Sequence, residues 1–143
     1  MTWKLQLVQN AAARVFTGTP WRAHIQPVLK QLHWWPVAAR IKFKVWVLTF
    51  KAIRGLGLTY LQDHLPPYAP HRALRLSSAN LLVVPSPHEV RLVSTRARAF
   101  LVLAPTWWNE LPEELRALTE LSQFRRVCKT ELFRLVYGGG QRK

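Results

Sequence analysis

The side chains able to do chemistry are few and scattered. Two-metal phosphoryl transfer needs carboxylates gathered around the cations. This chain has one aspartate, Asp63, and its glutamates concentrate at Glu110, Glu113 and Glu114. That cluster opens a helix-like stretch and reads as charge complementing a helix N-terminus. The five histidines, His24, His33, His64, His71 and His88, show no HxxxH or HExxH spacing, and only one cysteine, Cys128, could join them. No metal centre is expected from that set. Cys128 lies on an apolar helical stripe and reads as a buried, inert thiol. Gly55-Leu56-Gly57 lacks the third glycine and the preceding strand of a dinucleotide loop, and no P-loop run occurs. The expectation is a chain with no catalytic residue, no cofactor and no small-molecule substrate.

Positive charge is the one feature with a pattern. In Pro36–Arg54, at about 100° per residue, Arg40, Lys44, Lys51 and Arg54 fall within an arc of roughly 80°. Most of the rest of that circumference is apolar, and no acid neutralises the ridge. Such a helix can track a phosphate backbone, so these four residues are the candidate contacts for RNA or DNA, nonspecific and salt-dependent. The competing reading is a solvated face that keeps a buried helix soluble. Trp34, Trp35 and Trp46 could stack on bases, but their apolar neighbours favour core packing. Phe43, Trp46, Phe50 and Ile53 also fit the anchors of a calmodulin target or membrane-surface helix, if the helix were free of its own domain.

The whole chain is consistent with that electrostatic emphasis. Its 143 residues carry 21 Lys+Arg against 7 Asp+Glu, for a net charge of +14, and 49% of them are hydrophobic. A disordered basic tail would be poor in aromatics, and here there are seven tryptophans. One cysteine excludes a disulfide-stapled scaffold. No run approaches the ~20 apolar residues that span a bilayer. The start is too polar for a signal-peptide core, and a presequence is disfavoured because no serine precedes Ser77. An intracellular location, nuclear or cytoplasmic, is expected. Residues 1–62 hold nine basic residues and no acid, so polyanion contact belongs to the N-terminal half.

The elements that must position these residues read as mainly α, of the α+β kind. Trp3–Phe16 forms an amphipathic helix with Leu5, Val8, Ala12, Val15 and Phe16 in one apolar stripe, stopped by Gly18. Pro27 opens a short helix to about His33, and Pro36 opens the long basic-faced helix Val37–Arg54, closed by Gly55 and Gly57. A turn of helix follows at Tyr60–Leu65. Leu81–Val84 and Val90–Val93, around Pro85-Ser86-Pro87, read as a small β-hairpin-like insert, with Phe100–Leu103 a third strand. Pro112 opens a helix through Leu118, and Ser122–Tyr137 forms the last one. The organisation expected is a basic helical half at 1–65, a Pro-rich break with a small β segment at 66–109, C-terminal helices at 110–137 and a loose tail at 138–143, together one domain.

Four stretches carry a resemblance. Lys4–Gly18 (KLQLVQNAAARVFTG) is similar to the "LQ-x-x-QN-x-A-x-R-x-x-x-G" segment beyond the polymerase core of LINE-type, non-LTR, jockey-like retrotransposon reverse transcriptases. Pro27–Leu65 resembles the next block, with its "L-x-W-x-P-V-x-x-R-I-x-F-K" core. Arg98–Leu115 resembles "RAF-x-x-x-AP-x-x-WN-x-LP", and Leu121–Arg134 the terminal "F-x-x-x-LK-x-x-LF" helix. Ser94–Ala97 departs from the Gly-Asp pair that often precedes "RAF", which leaves the turn before Phe100 unassigned. The resemblance implies a truncated piece of that polyprotein, because the family's catalytic palm and endonuclease lie upstream. It also implies a part that helps hold template RNA or target DNA. The competing expectation is a functionless or partner-binding relic that self-associates through uncovered apolar surface. Trp3, Trp21, Trp34, Trp35 and Trp46 are its candidate patch.

Overall fold

The computed structural model describes residues 2–72, 79–86, 88 and 95–138. Val90–Val93 and the tail after Gly138 lie outside them. The fold is mainly α, with seven helices among the described residues: α1 (Thr2–Thr17), α2 (Ile25–Gln31), α3 (Val37–Ile53), α4 (Thr59–Asp63), α5 (Thr95–Asn109), α6 (Glu113–Arg116) and α7 (Leu121–Tyr137). The chain divides into two compact units, one of Met1–Phe43 with Lys129–Lys143 and the other Lys44–Cys128.

The helix ends follow local chemistry. Gly18 and Gly55 take φ of 66° and 69°, the left-handed region in which a Cβ is strained. The N–H groups after them, Thr19 and Leu56, return to Arg14 O and Lys51 O at 3.1 and 2.8 Å, closing α1 and α3. α2 begins at Ile25, two residues before the expected Pro27. Proline is tolerated there because N–H groups of the first turn have no partner within the helix.

In the first unit, α1 is packed the opposite way to its apolar pattern. Val8, Val15 and Phe16 are 68, 85 and 75% exposed, and Leu5 and Leu7 are exposed with them. The inward face is Gln6, Gln9, Asn10 and Ala13, of which Ala13 is fully buried against Val28 and Leu29 of α2. The reason lies at the break before α3. Pro36 has no N–H, and the backbone around it needs polar partners. Gln6 Oε1 accepts the N–H of Val37 at 2.8 Å, and Gln9 Nε2 donates to Trp35 O at 2.7 Å. Gln6 Nε2 in turn donates to Gln9 Oε1 and Asn10 Oδ1 at 3.1 and 2.8 Å. From α7, the Tyr137 hydroxyl donates to Trp34 O, and burial raises the Tyr137 pKa above the usual phenol value.

The second unit has a larger core. Trp46 and Phe50 of α3, Trp108 of α5 and Phe124 of α7 are all buried. The Phe50 and Phe124 rings stack at 4.3 Å, and Trp108 lies 5.8 Å from Phe124. Phe100–Leu103 is helical rather than a strand, which corrects the third β segment. α5 runs unbroken from Thr95, so no turn interrupts Thr95–Phe100. The run looks β-like because it is apolar with a β-branched residue. Its neighbours obey the helical period, however: Leu101, Ala104, Pro105 and Trp108 are buried at i, i+3, i+4 and i+7. Leu82 makes an isolated antiparallel bridge to Pro67. With Val90–Val93 outside the described residues, that bridge is the β feature seen.

Residues 79–82 are irregular, and partners from α5 and α6 satisfy them. Arg116, 7% exposed, donates from Nε to Ala79 O at 2.8 Å and from Nη1 to Asn109 O and Leu111 O at 3.0 and 2.6 Å. Trp108 Nε1 donates to Asn80 O at 2.8 Å. The Asn109 side chain both donates to Leu82 O and accepts its N–H, each at 2.9 Å, as a neighbouring strand would.

Two stability measurements check this packing. Gln6→Ala should lower stability by about 1–2 kcal/mol in urea denaturation, as loss of a helix cap does. Val8→Ala, on the apolar but exposed stripe, should stay within about 0.5 kcal/mol of the parent. The reverse order would show α1 packed on its apolar face. Arg116→Met should cost roughly 2–4 kcal/mol by leaving buried carbonyls without donors, seen as a lower urea midpoint with an unchanged slope.

Candidate nucleic-acid interface

The four ridge residues do not share one environment. Arg40 and Lys44 are exposed on successive turns of α3, whereas Lys51 and Arg54 are half-buried. The reason for Arg54 is specific. Its Nη2 donates to Leu118 O at 2.7 Å and Arg116 O at 3.3 Å, and its guanidinium lies 5.7 Å from the Phe50 ring centroid. Arg54 therefore caps carbonyls in the second unit, and a phosphate would have to compete with them. Phe50 and Trp46 are core residues, and Trp46 Nε1 donates to Trp107 O at 2.9 Å. The anchor face of the calmodulin or membrane-helix reading is thus occupied by the chain's own core.

Arg40 also belongs to a feature that no single stretch of sequence displays. In the first unit an open groove of about 630 Å³ is lined by His33, Trp35, Arg40, Lys129, Thr130 and Phe133. It joins two exposed cations to three aromatic rings. His33 stacks on Phe133 at 5.8 Å and 21°, while Trp35 meets Phe43 edge-on at 5.4 Å. Local backbone geometry places His33. After α2 it adopts φ 54°, and the N–H groups of His33 and Trp34 return to Lys30 O and Leu29 O at 3.1 and 2.9 Å. This is the left-handed helix stop that glycine ordinarily provides. A non-glycine residue there is uncommon, and histidine is one of the types that enter this region more readily.

The only acid on the groove's stretch of α7, Glu131, is turned to another partner. Arg134 donates to it from Nε and Nη2 at 3.0 and 2.5 Å, which holds its carboxyl below the usual carboxylate range. Among the described residues the groove is therefore cationic without a lining carboxylate. Lys129 and Phe133 stand one turn apart on α7, some ninety residues from Arg40. Their spacing alone is ordinary, so the only early hint was the aromatic run His33-Trp34-Trp35 just before the basic helix.

Elsewhere, Asp63, Glu110, Glu113 and Glu114 are exposed and Cys128 is buried. Among the described residues no three His, Cys, Asp or Glu side chains come together as a metal cage. No described helix is long and apolar enough to cross a membrane. Trp3 and Trp21 are 61 and 78% exposed, Trp34 and Trp35 half-buried and Trp46 buried, so two of the five candidate patch tryptophans are open. No protein-family model, curated protein or solved structure matches the chain.

Proposed function

We propose that this chain is a non-catalytic segment descended from the C-terminal region of a non-LTR retrotransposon reverse transcriptase, and that it binds RNA or DNA without sequence preference. The observation that carries binding is Arg40 and Lys44, exposed on successive turns of α3 within sixty-two residues that contain no acid. Counterion release from phosphates would supply most of the affinity. Descent rests on the four motif stretches. Gln6, Gln9, Trp108 and Asn109 within them have hydrogen-bonding roles in the fold, which is how a motif outlasts the chemistry of its parent.

Affinity for single-stranded RNA should fall steeply between about 50 and 200 mM salt. Arg40→Ala with Lys44→Ala should weaken binding evenly across sequences and flatten the salt slope by about one unit or more. A salt-independent affinity would count against the proposal. Arg54→Ala should instead lower thermal stability.

Among the described residues no carboxylate cage of the kind that two-cation phosphoryl transfer requires comes together. Primer-extension and nicking assays with magnesium or manganese should both be blank. Extension above a mock purification, abolished by Asp63→Ala, would overturn the non-catalytic assignment.

A second reading has its own observation, the exposed apolar face of α1 together with Trp3 and Trp21. A face of this kind marks a partner or self-association surface. Val8→Asp with Phe16→Asp should then shift sedimentation toward monomer and reduce binding of hydrophobic dyes. A dye-silent monomeric parent would remove this reading.

A further inference from the structure

We infer that the groove of His33, Trp35, Arg40, Lys129 and Phe133 seats one unpaired nucleotide, so that the chain prefers single-stranded to double-stranded nucleic acid. The inference rests on the nucleic-acid reading above and adds a site and a strand preference to it. Two kinds of group line the groove. Arg40 and Lys129 are exposed cations suited to a phosphate. His33, exposed and already stacked on half-buried Phe133, offers ring surface on which a base can continue the pile. Trp35 forms part of the apolar lining, its indole held edge-on to Phe43. A volume of about 630 Å³ lies within the range of small-ligand sites.

Duplex nucleic acid cannot use this arrangement. Its bases are stacked inside and present only their edges, whereas an unpaired base can turn its face onto an aromatic ring. A groove serving phosphate alone would have no use for three rings, and one serving an apolar ligand would not set two cations at its wall. His33 adds an independent argument. It stands at the helix stop that glycine would fill, and its ring is exposed there beside the two cations. The absence of a lining carboxylate matches an anion rather than a cationic or zwitterionic ligand.

The test compares a 23-nucleotide single strand with a 12-base-pair duplex, which carry equal numbers of phosphodiester groups, by fluorescence anisotropy of the full chain at fixed salt. The single strand should bind about tenfold more tightly, as one stacked base allows. His33→Gly suits the left-handed backbone and should keep the fold. It should lower single-strand affinity about fivefold or more, leaving duplex affinity and the salt slope unchanged. Phe133→Leu should act the same way, with far-UV circular dichroism confirming its fold. Arg40→Ala with Lys129→Ala should weaken both ligands together.

Equal affinity for the two forms, or equal losses on both in His33→Gly, would overturn the nucleotide seat while leaving nonspecific phosphate binding intact. Absence of binding to either form would overturn that reading and this one together. AMP competing at the oligonucleotide's own concentration would move the groove to a free nucleotide, and so overturn it as a strand seat.

Discussion

A guanidinium has several N–H donors and no acceptor, so burying Arg116 obliges the second unit to surround it with acceptors. Those acceptors are the carbonyls of Ala79, Asn109 and Leu111. The segment at 79–82 is neither helix nor paired strand at most of its positions, and its backbone would be costly to bury unaided. Arg116, Trp108 and Asn109 satisfy Ala79, Asn80 and Leu82 in turn. The same residues belong to the end of α5 and the α6 turn, whose apolar sides fill the core. Packing of the helices and hydrogen bonding of the irregular segment are therefore one constraint. Arg54, just past the end of α3 and drawn to the carbonyls of Arg116 and Leu118, joins it.

The first unit obeys the same rule with different residues. The break at Trp34–Val37 exposes carbonyls and an N–H between two helices, and glutamines of α1 with Tyr137 of α7 fill those valences. α1 must present its glutamine face to do so, and its apolar stripe is left outside. Burial of that stripe would have gained transfer free energy, but at the cost of unsatisfied backbone beneath it. The core of this unit is correspondingly small, built on Ala13, Val28 and Leu29. Helix polarity alone thus misjudges which side faces in, because it counts apolar side chains and ignores the backbone they would cover.

Charge is divided by the same logic. Three cations of α3 and Arg54 just past its end, of similar sequence context, come to different environments. Arg40 and Lys44 remain exposed, Lys51 is half-buried, and Arg54 is taken up by carbonyls. A basic ridge on a helical wheel overstates the surface available to a phosphate when part of it lies over irregular backbone. The groove compensates by bringing Lys129 from α7 beside Arg40, where charge and aromatic surface meet.

Much of the architecture was legible from residue order. Gly18 and Gly55 marked the ends of α1 and α3 because a left-handed stop favours glycine, and Pro36 marked the start of α3 because proline suits the entry to a helix. The long basic helix, the last helix and the buried Cys128 followed from period and polarity. The run at Phe100–Leu103 misled because its residue types suit a strand while its neighbours' spacing suits a helix. The apolar neighbours of Trp46 foretell its place in the core; nothing local foretells the environment of Arg54, whose acceptors lie more than sixty residues away. Beyond the aromatic run at His33–Trp35 the groove was not readable, for the same reason: His33 and Phe133 are one hundred residues apart and meet only as rings. Composition and local stereochemistry determine where helices begin, where they end and how much charge they carry. Which face of each helix turns inward, and which cations stay free, depends on the distant backbone groups that need partners, and only the tertiary structure decides that.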